Sequence, residues 1–291
     1  MHTTLIDPLV LAKILHTPAV RVFDVRHDLA HHGAGREEYR RARIPGAIFL
    51  DVENELSGTR TSNNGRHPLP EREDFHRLMV AAGVGPETQV VAYDAHGGAM
   101  AARLWWMLRW LGHARVAVLD GGWQAWLAAG LEVDDTPLGE ERALPGAVSP
   151  PLALGTPLVG MVSTADVLAN LDAARFVVVD ARASARYRGE TEPLDPVAGH
   201  IPGALNRPHT GNLDADGRFK PAATLATEFA ALLGERPAAE VVHQCGTIMK
   251  SADITQACHN LLAMEHAGLS GSRLYPGSWS EWCSDPVRPV A

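Results

Sequence analysis

Cysteine is scarce. There are three among 291 residues, Cys245, Cys258 and Cys283. An odd, sparse set confined to the last fifth of the chain is not a disulfide framework and reads as a protein of a reducing compartment, the cytoplasm. No Cys-x-x-Cys pair is present and no Cys/His group has metal-site spacing, so neither a metal nor a cofactor is expected. Basic residues are outnumbered, 26 Lys and Arg against 34 Asp and Glu, a net charge of −8 with no basic run; this disfavours nucleic acid as a partner. No run of about 18 apolar residues exists to cross a membrane. The opening MHTTLIDPLVLAKILHT lacks the charged stretch and long apolar run of a secretory signal. The stretch GTRTSNNGR (58–66) lacks the Lys-Ser/Thr ending of a phosphate loop.

What is present begins with a repeat. VFDVR (22–26) returns as VVVDAR (177–182), with the aspartates 156 residues apart. IPGA recurs at 44–47 and 201–204, and DGGWQAW (120–126) returns as PGSWSEW (276–282). Three matches in the same order indicate duplication, and a period this long is a whole domain. Residues 132–162 carry five prolines and little periodicity, as an extended linker does. The expected organisation is a first domain over 1–135, a linker over 136–159 and a second domain over 160–291.

Within each half, short β-branched runs (VRVFDV, TQVVAYD, RVAVLD; RFVVVDA, EVVHQC) alternate with longer helical stretches (GAMAARLWWMLRWLG, ACHNLLAMEHAG). That alternation predicts an α/β fold, each half a mainly parallel sheet flanked by helices. In such sheets the site lies at the carboxyl ends of the strands. Trp105, Trp106 and Trp110 are spaced for packing, and His31-His32 reads as solvated loop.

Cys245 directly follows the apolar run Val241-Val242 and precedes a helix over at least 257–267, so it is expected at a strand's carboxyl end. Loop amides and a helix N-terminus there favour the thiolate, and Lys250 would add a cation. Cys258, beside Leu261 and Leu262, reads as core; Cys283 reads as structural.

These residues resemble the rhodanese family, in its two-domain thiosulfate and 3-mercaptopyruvate sulfurtransferase form. The resemblance rests on Asp24-Val25-Arg26, Ile44-Pro45-Gly46-Ala47 and Asp120-Gly121-Gly122-Trp123 in the first half. In the second it rests on Asp180-Ala181-Arg182, Arg186-Tyr187-Arg188-Gly189, Gly199-His200-Ile201-Pro202-Gly203-Ala204 and Tyr275 to Trp282. It implies two tandem rhodanese-like domains with only the second catalytic. Asp94 stands at the cysteine position of the first, and a carboxylate accepts no sulfane sulfur. The implied chemistry is double displacement through a Cys245 persulfide. A small anionic donor gives the sulfur, and cyanide, a thiol or a thioredoxin-like protein takes it. The resemblance also implies that Arg186 grips the donor's carboxylate or sulfonate end, with Gly246, Thr247 and Lys250 in the binding loop. His67 is an auxiliary candidate, with Glu53 as its acid and Thr247 in the place of a serine; the plainer reading of His67 is a linker histidine at a domain interface. A monomer is expected.

The chain departs from the pattern in its loop. Cys245 and the Cys258-His259-Asn260 group lie 13 residues apart, where the mercaptopyruvate type has seven. A wider cradle admits a larger tetrahedral group, which keeps open a phosphatase-like or arsenate-reducing activity, or a disabled binding protein. Against the phosphatase reading, Ser251 stands where those enzymes close the loop with arginine. Leu194 stands where mercaptopyruvate enzymes often carry a second substrate arginine.

Overall fold

The computed structural model describes all residues except 29–30, 32, 62–63, 66, 139–143, 194 and 247–255. The chain divides into two compact units. One comprises Met1–Gly58, Leu69–Leu158 and Asp216–Arg218; the other Thr59–Pro68, Val159–Ala215 and Phe219–Ala291. The proline-rich segment is extended but tied to the first unit: Gly146 N–H donates to Ala81 O, Leu152 N–H to Val84 O and Gly155 N–H to Leu111 O. Prolines lack these donors, so the anchoring falls to the residues between them.

The first unit contains β1 (Leu5–Ile6), α1 (Pro8–Ile14), β2 (Val20–Asp24), α2 (Ala34–Arg41), β3 (Ile48–Phe49) and α3 (Arg72–Ala81). It continues with β4 (Gln89–Tyr93), α4 (Ala101–Trp110), β5 (Val116–Leu119) and α5 (Gly122–Ala128). Its sheet has the order β1-β5-β4-β2-β3 with every pairing parallel. β4 is buried along its whole length, as a strand covered on both faces must be. α4, with nine of its ten residues buried, carries the expected tryptophans into the core. α1 starts cleanly because Asp7 accepts the Leu9 N–H and Pro8 is preset for a first turn.

The second unit repeats the plan with β6 (Gly160–Met161), α6 (Thr164–Ala173), β7 (Val177–Asp180), α7 (Ser184–Tyr187) and β8 (Leu205–Asn206). After these come α8 (Ala222–Leu233), β9 (Val241–Gln244), α9 (Gln256–His266), β10 (Arg273–Leu274) and α10 (Ser278–Trp282). Its sheet order is β6-β10-β9-β7-β8, again all parallel. The sequence motifs are turns and locks of this plan. Each Ile-Pro-Gly-Ala turns at a glycine with φ of 76°, Gly46 and Gly203, a left-handed conformation that suits only glycine well. Each turn is pinned from a helix by a tyrosine hydroxyl, Tyr39 to Ala47 O at 2.8 Å and Tyr187 to Ala204 O at 2.6 Å. Each Asp-x-Arg closes a fully buried ion pair, Asp24–Arg26 and Asp180–Arg182, both 2.6 Å. No described helix is long and apolar enough to cross a membrane.

Candidate active site

Register brings the site together. In β7 and β9, Asp180 pairs with Gln244, and Ala181 N–H donates to Gln244 O, so Cys245 is the first residue beyond the end of the central strand. It is 7% exposed. The start of α10 holds its backbone: Trp279 N–H donates to Cys245 O at 2.8 Å. Cys245 N–H donates to Ser278 Oγ at 3.2 Å, and Ser278 Oγ lies 3.7 Å from the thiol sulfur. Ser278 adopts φ of 54°, a left-handed conformation that is strained for a serine. Its hydroxyl donates to Tyr275 O at 3.0 Å.

Gly246 follows, in contact with two arginines. A Cβ here would lie 2.9 Å from Arg182 Cδ and 3.3 Å from Trp279 Cβ, so the position admits little but glycine. Arg182 is held by Asp180, donates to Gly199 O and lies over the Trp279 ring at 4.7 Å. Arg186, on α7 and 2% exposed, donates from Nη1 to Gly246 O at 3.2 Å. The same guanidinium is gripped bidentately by Glu192, Nη2 to Oε1 at 2.6 Å and Nε to Oε2 at 3.2 Å, and Nη2 meets Asp195 Oδ2 at 3.3 Å. A cavity of about 450 Å³ opens beside them, lined by Ala183, Arg186, Thr191, Glu192 and Pro193.

Of the site residues expected from sequence, Cys245, Gly246 and Arg186 therefore come together in one corner of the second unit. Thr247 and Lys250 lie outside the described residues, as do Ser251 and Leu194. His67 is half-buried in the second unit. Glu53 belongs to the first unit, where its Oε1 lies 3.8 Å from His27 Nε2. Sequence reasoning passed over Glu192 and Asp195 as partners of Arg186. Their signal was two acids six and nine residues past an arginine in an irregular stretch, which no periodicity marks. It also passed over Ser278, whose signal was a serine where the other copy of the motif has glycine. Behind the site, burial pushes the His243 pKa down to about 3, so the ring is neutral, with Nε2 3.1 Å from Met264 Sδ. Cys258 and Cys283 are buried, and burial raises the Cys283 thiol to about 12. No group of described His, Cys, Asp or Glu residues has the arrangement of a metal site.

The first unit shows the same corner with a different occupant. Asp94 follows β4 as Cys245 follows β9, and its backbone oxygen accepts the Trp123 N–H at 2.7 Å. Its carboxylate accepts four backbone amides, from His96, Gly98 and Met100 in the loop and Ala101 at the start of α4, at 2.7 to 2.9 Å. Converging amides of this kind form an anion cradle, and here the chain fills it with its own side chain.

A doubled parallel α/β unit, with a cysteine in one copy and a carboxylate in the other at the same strand end, defines a tandem rhodanese-type protein. The rhodanese-like domain family matches residues 7–129 and 163–285. The chain belongs to the rhodanese family, and it is a sulfurtransferase of the two-domain type. It is 45% identical over 284 residues, 97% of this chain and 95% of the relative, to a Pseudomonas aeruginosa protein named "Probable 3-mercaptopyruvate sulfurtransferase". It is 36% identical over 254 residues, 85% of this chain and 79% of the relative, to 3-mercaptopyruvate sulfurtransferase of Homo sapiens. The solved 3-mercaptopyruvate sulfurtransferase from Leishmania major superposes with a TM-score of 0.81 at 30% identity, over 99% of this chain and 75% of that one.

Proposed function

We propose that the chain takes sulfur from 3-mercaptopyruvate or thiosulfate and passes it to a thiophilic acceptor through a persulfide on Cys245. The observation that carries this is the contact of Arg186 with Gly246 O, one residue from the nucleophile. A donor whose carboxylate is bound by Arg186 presents its sulfur toward Cys245. The Cys245 thiolate attacks that sulfur and an S–S bond forms. The C–S bond breaks, and pyruvate leaves as its enolate and takes up a proton. With thiosulfate the S–S bond of the donor breaks and sulfite leaves. Cyanide, a thiol or a thioredoxin-like protein then attacks the outer sulfur and releases the Cys245 thiolate. Thr247 and Lys250 belong to the loop expected to surround the persulfide. The setting that suits a buried thiol outside any disulfide is a reducing cytoplasm, and the active form is one chain.

The test is the intact mass of the protein after brief exposure to each donor. A gain of one sulfur atom, absent in Cys245→Ser, is the expected result. No gain with either donor overturns the reading and returns attention to phosphatase-like chemistry, assayed with an aryl phosphate, or to a purely binding role.

A further inference from the structure

The guanidinium assigned to the donor is already engaged. Arg186 has five N–H donors in a fixed fork. Its Nε/Nη2 edge, the edge suited to a carboxylate, holds Glu192 bidentately, and Nη2 also meets Asp195. One Nη1 donor goes to Gly246 O. The donor's carboxylate therefore has no empty two-point edge to bind. Yet a shallow depression lies beside the pair, bordered by both Arg186 and Glu192, whose side chains are each 3% exposed. Glu192 also has a second place to go: its Oε2 lies 3.4 Å from Arg182 Nη1, and Arg182 is itself fixed by Asp180.

We propose that the Glu192 carboxylate is an internal stand-in for the donor's carboxylate, sitting on the Nε/Nη2 edge of Arg186 in the free protein and yielding that edge when a 2-oxo acid binds. Glu192 then sets how tightly carboxylate donors are held. The proposal rests on the sulfur-transfer reading for the identity of the donor. The exchange replaces one bidentate carboxylate by another, so little hydrogen bonding is lost. Glu192 keeps Arg182, so its buried charge is not stranded, the condition that makes breaking a buried pair costly. Arg186 keeps Gly246 O throughout, which leaves the incoming carboxylate one residue from Cys245. A resting carboxylate on the edge also excludes other small anions from a buried cation, so entry is selective for ligands able to displace it.

Pyruvate, what 3-mercaptopyruvate becomes on losing its sulfur, is the probe, because its binding requires no sulfur transfer. Calorimetric titration of the wild type and of Glu192→Gln reads the competition directly. Removing the resident charge is expected to tighten pyruvate by about tenfold, the size of one charge-assisted contact, and to lower KM for 3-mercaptopyruvate in step. Equal or weaker pyruvate binding by the folded variant overturns the proposal, as does pyruvate bound by neither protein. Should Glu192→Gln fail to fold, a crystal structure of the wild type with pyruvate decides. Pyruvate on the Nε/Nη2 edge with Glu192 moved to Arg182 is expected, and Glu192 still on that edge overturns it. Failure of the two readings is distinguishable. A wild type that gains no sulfur from either donor sinks the sulfur-transfer reading while the pyruvate measurements still decide the role of Glu192.

Discussion

The two units share their strand order, their Asp-x-Arg pairs and their tyrosine-pinned turns, and they differ where chemistry would occur. Asp94 stands where the second unit has Cys245. Superposing the turn tyrosines, Tyr39 on Tyr187, puts Glu38 in the place of Arg186. Superposing the tryptophans, Trp123 on Trp279, puts Gly122, with φ of 56°, in the place of Ser278, with φ of 54°. A cysteine, an arginine and a serine in one unit correspond to two carboxylates and a glycine in the other. The difference shows that the strand-end corner does not need the cysteine: the same backbone bond, from Trp123 to Asp94 O and from Trp279 to Cys245 O, closes it around a carboxylate as around a thiol.

The most damaging way to test that contrast is to empty the cradle of the first unit. Asp94→Ala leaves four backbone amides without their acceptor, some of them buried, and is expected to destabilise the protein by about 3 kcal/mol or more, read as a lowered midpoint in chemical denaturation. A small effect would mean that water replaces the carboxylate at no cost. Next in size is the acid response of His243, in the second unit's central strand. The unfolded His243 imidazole titrates near 6.5 and the folded one near 3, so between these values the unfolded chain binds the extra proton and stability falls as pH drops. About 2 kcal/mol is lost from this group between neutral pH and pH 5. His243→Leu should flatten that dependence in denaturation curves across the same interval, and an unchanged slope would place the acid sensitivity elsewhere.

Smaller, and aimed at the cation, is Arg186→Lys. The point charge remains but the fork is lost, so kcat/KM for 3-mercaptopyruvate should fall by about thirtyfold with KM carrying most of it; an unaltered KM would sever Arg186 from the donor. The gentlest exchange imports the first unit's residue as Ser278→Gly. Relief of the left-handed strain, about 1 kcal/mol, offsets the lost contact with Cys245 N–H, so thermal stability should stay nearly level while the rate of Cys245 persulfide formation drops. A drop in stability without loss of rate would make the serine a packing residue.

Much of this was legible in the sequence. The repeat, the parallel sheets and the strand-end position of Cys245 followed from motifs and β-branched runs, because the backbone rules that produce a βαβ unit act locally. The described α9 (Gln256–His266) covers all but the last residue of the helix expected over at least 257–267. The corner around Arg186 was less legible. Its partners Glu192 and Asp195 sit in irregular chain, where no period assigns a side chain to a face, and only three-dimensional closure shows that the arginine is already held. The proline-rich segment was expected as a linker from composition; composition does not report the few backbone hydrogen bonds that tie it to the first unit. The Asp94 cradle was half visible: the residue was read as a non-nucleophile, whereas its four amide contacts depend on a loop path that the residue types do not spell out.

That cradle bears on how such a doubled protein ages through evolution. In the proposed chemistry the persulfide sulfur would be a guest that departs at every turnover, whereas the Asp94 carboxylate is part of the chain. Once a carboxylate has settled on four amides, returning a thiol to that place forfeits contacts on which the unit has come to depend, and intermediate sequences would have to survive that loss. An exchange of this kind works as a ratchet, easily turned in one direction and resistant to turning back.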